Sequence, residues 1–137
     1  MVQNRREAIT LTVHDTIAAA EQILPGHPSP DGEKDPRWQA IIEISHFVPQ
    51  EPNAIWQFVL KWGSHEDADL RTAIATCLLE HLLEHHFDFI FPRVEAAARS
   101  NVRFGDTTAM CWKFGETKDA NNAERFERLR REIRSRS

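Results

Sequence analysis

Apolar residues recur three or four positions apart along most of the chain, the spacing that places side chains on one face of an α-helix. The longest such stretch runs from Ser64 to His86 without a glycine or proline, and it is rich in good helix formers. Ser64 and Asp67 form a variant capping pattern at its start. Strands would require alternation, and the sequence has no alternating stretch of any length. The pattern predicts an all-α protein organised around one helix of about six turns.

A helical wheel of this stretch, drawn at about 100° per residue, separates two faces. Glu80 and Glu84 lie on the face predicted to be polar and solvent-exposed. His81 and His85 fall within the apolar arc, one turn apart, and Arg71 lies at its edge. The other residues of the apolar arc are Leu70, Ile74, Cys77, Leu78, Leu79 and Leu82.

Prolines and glycines divide the rest of the chain into further helical segments. An N-terminal helix is predicted within residues 1–24, followed over 25–36 by a linker that holds four of the seven prolines. Core helices are predicted over 36–115 and a charged C-terminal helix over 117–137. We therefore expect a single domain of about six or seven helices, either a compact bundle or a right-handed stack of antiparallel helix pairs.

Residues typical of helix ends give more detailed boundaries. Asp35 and Glu51, each followed by a proline, predict helix starts, and Gly63 is predicted to end a helix in the left-handed conformation. Asp88 and Asp106 are predicted to cap two later helices. The second of these is predicted to run to Gly115, after a loop over residues 101–105.

The segment Pro52–Gly63, a tight turn, and a long helix bearing Asp69-Leu70-Arg71 resemble a unit of the HEAT or armadillo helical repeats. The resemblance covers about residues 36–100. It implies that a first helix packs antiparallel on a second, and that the second begins with an acidic residue, Asp67 or Asp69, shortly before an inward-facing arginine, Arg71. It implies a scaffold and no particular chemistry.

Composition limits the classes of function. With 137 residues, 41% of them hydrophobic, the chain is long enough for one globular domain, and a net charge of −4 argues against a surface that binds nucleic acid throughout. Cys77 and Cys111 are predicted to be reduced, buried and inert. No apolar run approaches the length of about 18 residues needed to span a membrane. His14 and Asp15 interrupt the N-terminal apolar stretch, so a signal peptide is not expected and a cytoplasmic location is.

One motif suggests metal chemistry. His81, Glu84 and His85 match H-x-x-E-H, the inverted zinc-protease motif, in which two histidines four apart hold zinc and the glutamate acts as a base. The alternative is that both histidines pack in the core and donate hydrogen bonds to backbone carbonyls or to glutamates. Under the metal hypothesis zinc is the cofactor; under the alternative there is none.

The tryptophans suggest binding instead, because exposed tryptophan is common at the energetic centres of interfaces. Trp56 falls on the flank of its predicted helix, and Trp112 on a short predicted helix between loops. Burial in the core is the alternative for both.

A third hypothesis concerns the C-terminal segment, residues 124–137, which contains six arginines and only three glutamates. These arginines could contact phosphates of a nucleic acid. They could equally pair with glutamates at helical spacing on a frayed, solvated helix. The arginines are Arg125, Arg128, Arg130, Arg131, Arg134 and Arg136.

The leading interpretation is a non-enzymatic helical scaffold that binds another protein and carries no cofactor. The predicted binding residues are Trp56, Arg71, Glu80, Glu84 and Trp112. Self-association is an alternative, because helical stacks often need their open ends covered. Nucleic acid and membrane are not expected partners.

Overall fold

The computed structural model of the protein describes residues 11–27, 29 and 35–136. Within these ranges the chain is helical and has no strand, so the all-α prediction is confirmed. Besides α-helices, these residues include a π-helical segment, Ala75–Leu79, and a 3-10 turn, Gly115–Lys118. The α-helices are α1 Val13–Ile23, α2 Pro36–Ser45, α3 Pro52–Trp62, α4 Ala68–Ile74, α5 Glu80–Ser100, α6 Val102–Ala109 and α7 Ala120–Ser135.

Since α4, the π segment and α5 are continuous, the described residues form six separate helices in a compact bundle. The long continuous helix is its centre. Helices α2, α3 and α6 pack against α4 and the π segment, while α3, α6 and α7 pack against α5. Helix α1 packs against α2 and α3. None of the helices in the described ranges is long and apolar enough to cross a membrane.

Several predicted helix starts are confirmed. The Asp35 carboxylate accepts from the backbone N–H of Arg37, and α3 begins directly after Glu51 at Pro52. The last helix was expected to begin between residues 117 and 122, and Asp119 caps it. Helix α1 begins with a capping box between Thr12 and Asp15. The part of the predicted N-terminal helix before residue 11 lies outside the described residues.

Other boundaries were wrong. Asp67, not Ser64, caps α4, because the Ser64 hydroxyl donates to the Leu60 carbonyl and so belongs to the end of α3. Asp88 is not a cap, because the helix resumes directly after the bend at His86 and Asp88 lies inside that second part; the helix end predicted at His86 is confirmed by this bend. Asn101, not Asp106, caps α6 by accepting from the Phe104 N–H. Helix α6 therefore starts earlier than expected and ends at Ala109, which leaves residues 111–114 outside any helix.

Gly63 ends α3 but has a φ of −70°, so the predicted left-handed conformation is wrong. The position is tight instead. A Cβ there would lie 2.6 Å from the Val59 carbonyl oxygen and 3.1 Å from the Phe104 ring. The Thr107 hydroxyl also donates to the Gly63 carbonyl at 2.6 Å. Glycine thus allows α6 to approach the end of α3.

Helix α5 bends at His86, which has φ −139° and ψ 43°. The His86 Nε2 lies 2.9 Å from the Val48 carbonyl oxygen, and the next residue, Phe87, donates its backbone N–H to the Glu116 carboxylate at 2.9 Å. Groups from two other segments therefore stabilise the bend.

Arg37 is a charged residue in the interior, with only 1% of its surface exposed. Its guanidinium contacts the carboxylates of Asp35 (3.1 Å), Asp67 (3.1 Å) and Asp69 (2.6 Å). It also donates to the Pro25 carbonyl at 3.3 Å. One side chain thus links the end of α1, the start of α2 and the start of α4.

The C-terminal helix is docked rather than frayed, while the predicted pairing of its arginines with glutamates at helical spacing is confirmed. Phe126, Leu129 and Ile133 are buried, and Arg125 lies over the rings of Phe87 and Phe91. The long helix therefore gains a partner along its second half.

Replacing Arg37 with methionine should lower the free energy of unfolding by about 3–5 kcal/mol, because three carboxylates would lose their shared cation in a partly buried site. Urea or thermal unfolding measures this change. Arg128→Met, at an exposed arginine paired only with Glu124, is the matched control and should change stability by less than about 1 kcal/mol. Equal effects of the two substitutions would contradict the structural role of Arg37.

The same cluster predicts how stability depends on acid. The hydrogen bond from Arg37 holds the pKa of Asp35 below its usual value of 3.8. At Asp67 burial acts to raise the pKa, but hydrogen bonds from the Leu70 N–H, Arg37 and the Asp69 N–H lower it overall. Both carboxylates bind protons less tightly in the folded than in the unfolded chain, so their stabilisation exists above about pH 4 and disappears as the pH falls.

Thermal unfolding between pH 5 and pH 2 should therefore show a steeper loss of Tm in the wild type than in Arg37→Met. Parallel curves would show that Arg37 does not set these pKa values.

Candidate functional site

Residues 111–114 form an extended loop between α6 and the 3-10 turn, and this loop crosses the face of α5. Gly115 allows the close approach. It has a φ of +50°, and a Cβ there would lie 2.6 Å from Glu84 Cγ and 2.8 Å from the Glu84 carbonyl oxygen. Any other residue would be strained and would push the loop away from α5.

The loop is fixed to α5 along its length. The Trp112 N–H donates to Glu80 Oε1 at 2.9 Å, and the Phe114 ring stacks on His81 with centroids 5.8 Å apart. Just beyond the loop, Glu116 accepts from the Phe87 N–H at the bend of α5. Contacts at Trp112, Phe114 and Glu116 thus hold this segment against α5 at every second residue.

The Trp112 side chain is nevertheless 71% exposed, and that of Phe114 is 37% exposed. The backbone hydrogen bond fixes the loop but does not cover the indole. We define the Trp112 surface as Trp112 and Phe114 with the neighbouring side chains His81, Glu84 and Lys113.

Glu80, predicted to be exposed, is 5% exposed, so that prediction was wrong. A uniform wheel fails here because the π segment just before it adds residues per turn and rotates the later positions. The loop then covers Glu80 from outside. Burial is the largest influence on the pKa of Glu80 and raises it; the Trp112 N–H and His81 act to lower it, and Glu84 to raise it.

The same rotation moves the histidines. His81 and His85 were expected within the apolar arc, but their side chains are 37% and 44% exposed. His81 Nδ1 lies 2.7 Å from Glu84 Oε1, and His85 Nε2 lies 3.7 Å from the same oxygen. The predicted burial of this pair in the core is therefore wrong, whereas the hydrogen bond to a glutamate that the same alternative predicted is found for His81.

The arrangement gives no support to zinc. His81 Nδ1 and Glu84 are joined by a hydrogen bond. Across the described ranges, no group of three or more histidine, cysteine, aspartate or glutamate side chains is placed to hold a metal ion. The zinc hypothesis stays a prediction, to be checked by metal analysis of untagged protein.

Two other predicted binding residues lie elsewhere. Trp56 is only 5% exposed and packs edge-on against Phe104, with ring centroids 5.7 Å apart. Arg71 is half-buried and donates to the carbonyls of His65 (2.8 Å) and Glu66 (3.0 Å), the turn before its own helix. The structure therefore brings Glu80, Glu84 and Trp112 together and separates Trp56 and Arg71 from them.

A cavity of about 370 Å³ opens beside Trp112. Lys113 and Arg130 supply its charged groups, and both pair with the Glu127 carboxylate; the distance from Arg130 is 3.1 Å. Arg130 also donates to the Cys111 carbonyl. The lining residues are Ala109, Met110, Cys111, Trp112, Lys113 and Arg130.

Sequence reasoning assigned no binding role to Lys113 or Phe114, because it placed both on a helix. Asn101 is a residue type that commonly caps helices, and placing the start of α6 there would have predicted an earlier helix end and a loop over residues 111–114.

Arginines of the C-terminal helix mostly engage this chain. Arg128 and Arg131 pair with Glu124 at 3.5 and 3.3 Å. Arg136 donates to the Arg99 carbonyl at 3.3 Å, and Arg125 lies over two phenylalanine rings. These internal contacts favour a structural role over phosphate binding.

A second concave surface, of about 590 Å³, lies between α1 and α2. Leu11 (62% exposed) and Ile23 (40% exposed) contribute apolar area, and Asp15 and Glu43 stand at its edges. Among the described residues, its lining contains no aromatic or cationic side chain. The surface is therefore mostly apolar and lacks a side chain of the kind that dominates binding at interfaces.

Residues 27–133 match the model of a family of unknown function, DUF6869. The match covers more than half of the chain, so the chain belongs to this family. It includes α2 to the end of the α7 core and the whole Trp112 surface, and it leaves out α1. Comparisons with curated proteins and with solved structures gave no match.

The buried carboxyl makes a testable prediction. Since the pKa of Glu80 is raised above its usual 4.5, the folded chain binds its proton more tightly than the unfolded chain does. Its contribution to stability therefore falls as the pH rises from about 4.5 through the folded-state pKa. Glu80→Gln keeps an acceptor for the Trp112 N–H but cannot ionise.

The stability of Glu80→Gln relative to wild type should increase between pH 4.5 and 7.5, measured by urea unfolding. Any constant effect of replacing the carboxyl with an amide changes the free energy of unfolding by the same amount at every pH. The change in the stability difference with pH therefore tests the prediction. Glu43→Gln, at an exposed carboxylate, is the control. A pH-independent difference for Glu80→Gln would show that burial does not raise the pKa.

Proposed function

We propose that this member of the DUF6869 family is a non-enzymatic helical scaffold that binds another protein through the Trp112 surface. The observation that carries the proposal is a tryptophan with 71% of its surface exposed on a loop whose backbone is held by a buried carboxylate.

The indole is exposed although the fold has the means to bury tryptophan. Trp56 and Trp62 are buried in the same bundle, and the Trp38 indole donates to Asp69 at 3.1 Å. Exposed tryptophan is enriched at interfaces, where one ring can supply much of the binding free energy. Trp112 is therefore the natural anchor for a partner.

Rigidity supports the same role. The loop is fixed by Glu80 and by the stacking of Phe114 on His81. A partner would lose little free energy to ordering the backbone before contact, which favours affinity.

The titratable groups of the site favour binding over catalysis, since each is already engaged. Glu80 accepts from Trp112, Glu84 contacts His81, and Glu116 accepts from Phe87. Burial raises the pKa of the Cys111 thiol well above its ordinary value, which keeps it protonated and unreactive.

The resemblance to HEAT or armadillo repeats fits this proposal as a scaffold shape and stays a prediction. The cytoplasmic location and self-association also stay predictions. Glu84 remains in the proposed binding set at the edge of the surface, whereas Trp56 and Arg71 do not.

Affinity capture from a lysate of the source cells, with and without nuclease, tests the proposal. A protein retained by the wild type in both conditions should be lost with Trp112→Ala, by about tenfold or more, as expected for a hot-spot residue. Val102→Ala is the matched control, because Val102 is 70% exposed on another part of the bundle. Capture that Trp112→Ala leaves intact, or that nuclease abolishes, would contradict the proposal.

A further inference from the structure

The cavity beside Trp112 has a charge that its own residues do not balance. Its two charged lining residues, Lys113 and Arg130, are both cations, and one carboxylate, that of Glu127, pairs with both. Arg134 is also close enough to Glu127 to lower its pKa, after the larger effects of the Lys113 hydrogen bond, opposed by burial, and of Arg130. Two or three cations therefore share a single anion at this edge of the surface.

The other nearby carboxylate does not restore the balance. Glu80 is 5% exposed, does not line the cavity, and already accepts from the Trp112 N–H. The cavity thus presents positive charge to an incoming group.

Arg130 has unused hydrogen-bonding capacity. Its Nη1 donates to Glu127 and its Nη2 to the Cys111 carbonyl, but its Nε is buried without an acceptor. Because that Nε is buried, an incoming carboxylate would reach Arg130 through the exposed part of its guanidinium, and 16% of the side-chain surface is exposed. Guanidinium groups bind carboxylates especially well.

The rest of the lining is apolar. Ala109, Met110 and Trp112 form a wall beside the two cations. A methionine next to an exposed indole suits an aliphatic or aromatic side chain, because both surfaces are apolar and methionine adapts its shape.

We propose that the Trp112 surface binds an acidic segment of its partner protein, with an apolar side chain in the cavity against Met110 and Trp112 and a neighbouring carboxylate on Lys113 and Arg130. This inference rests on the proposed function and names the chemistry of the partner.

Matched peptide pools test the inference. Each pool has two central apolar positions filled by leucine, phenylalanine or methionine. The flanking positions carry glutamate in one pool, glutamine in the second and lysine in the third. Binding to isotope-labelled full-length protein is followed by NMR through the indole N–H of Trp112 and the Nε–H of Arg130.

The glutamate pool should shift both signals, and the glutamine and lysine pools should bind at least about tenfold more weakly, as expected for loss of charge-assisted hydrogen bonds. Lys113→Gln should weaken binding of the glutamate pool about fivefold, within the range of a partly exposed ion pair. Lys61→Gln, which removes a 59% exposed lysine from α3, is the charge-matched control and should leave binding unchanged. Salt at 0.5 M should weaken the interaction through screening.

If the lysine or glutamine pool bound as tightly as the glutamate pool or more tightly, the proposal of an acidic partner segment would be overturned. No binding of any pool would also overturn it, as would a Trp112-dependent dimer of this chain that excludes the peptides in light scattering. The capture experiment judges the proposed function separately: a partner lost with Trp112→Ala but retained by Lys113→Gln and by high salt would keep the scaffold and reject the acidic segment.

Discussion

The structure depends most on the burial of Arg37 among three aspartates. A guanidinium that is 1% exposed is stable only when its donors are satisfied, and here they contact Asp35, Asp67, Asp69 and the Pro25 carbonyl. These acceptors come from three places in the sequence, so the arginine fixes how the end of α1, the start of α2 and the start of α4 meet. Two of the aspartates also cap helices through backbone N–H groups. The cluster therefore sets helix boundaries and helix positions together, and α4 in turn leads into the long helix that the remaining elements pack against.

Much of the secondary structure was predictable because its causes are local. Asp35-Pro36 and Glu51-Pro52 begin helices where expected, since a proline at the first helical position loses no hydrogen bond. The errors arise where distant groups decide. Ser64 resembles a cap but donates to Leu60, and the bend at His86 depends on Val48 and Glu116. Arg71, which the repeat resemblance placed facing inward, is half-buried, whereas Arg37, from another helix, is 1% exposed. A sequence pattern shows which residues can cap or pair, but not which of several candidates a distant segment will reach.

The candidate site was half predictable for the same reason. Glu80, Glu84 and Trp112 belong to the predicted binding set and lie together in the structure, but the wheel predicted Glu80 to be exposed and both histidines to lie within the apolar arc. A uniform wheel assumes a constant angle per residue, and the π segment violates that assumption between Ala75 and Leu79. Trp56 lies on the flank of α3, and its ring packs in the core edge-on against Phe104 from α6. Its burial is a property of the tertiary structure and has no signal within its own helix.

The buried Glu80 and the exposed Trp112 are two parts of one arrangement. Burial raises the pKa of the Glu80 carboxyl, because a carboxylate loses hydration inside the fold. What Glu80 provides is a fixed acceptor for the Trp112 N–H, while Gly115 and the stacking of Phe114 on His81 hold the next residues of the loop against α5. The loop backbone is thus rigid and the indole remains free of the core. A large aromatic ring held toward solvent by a loop that a buried carboxylate anchors is the feature on which the proposed binding of a partner rests.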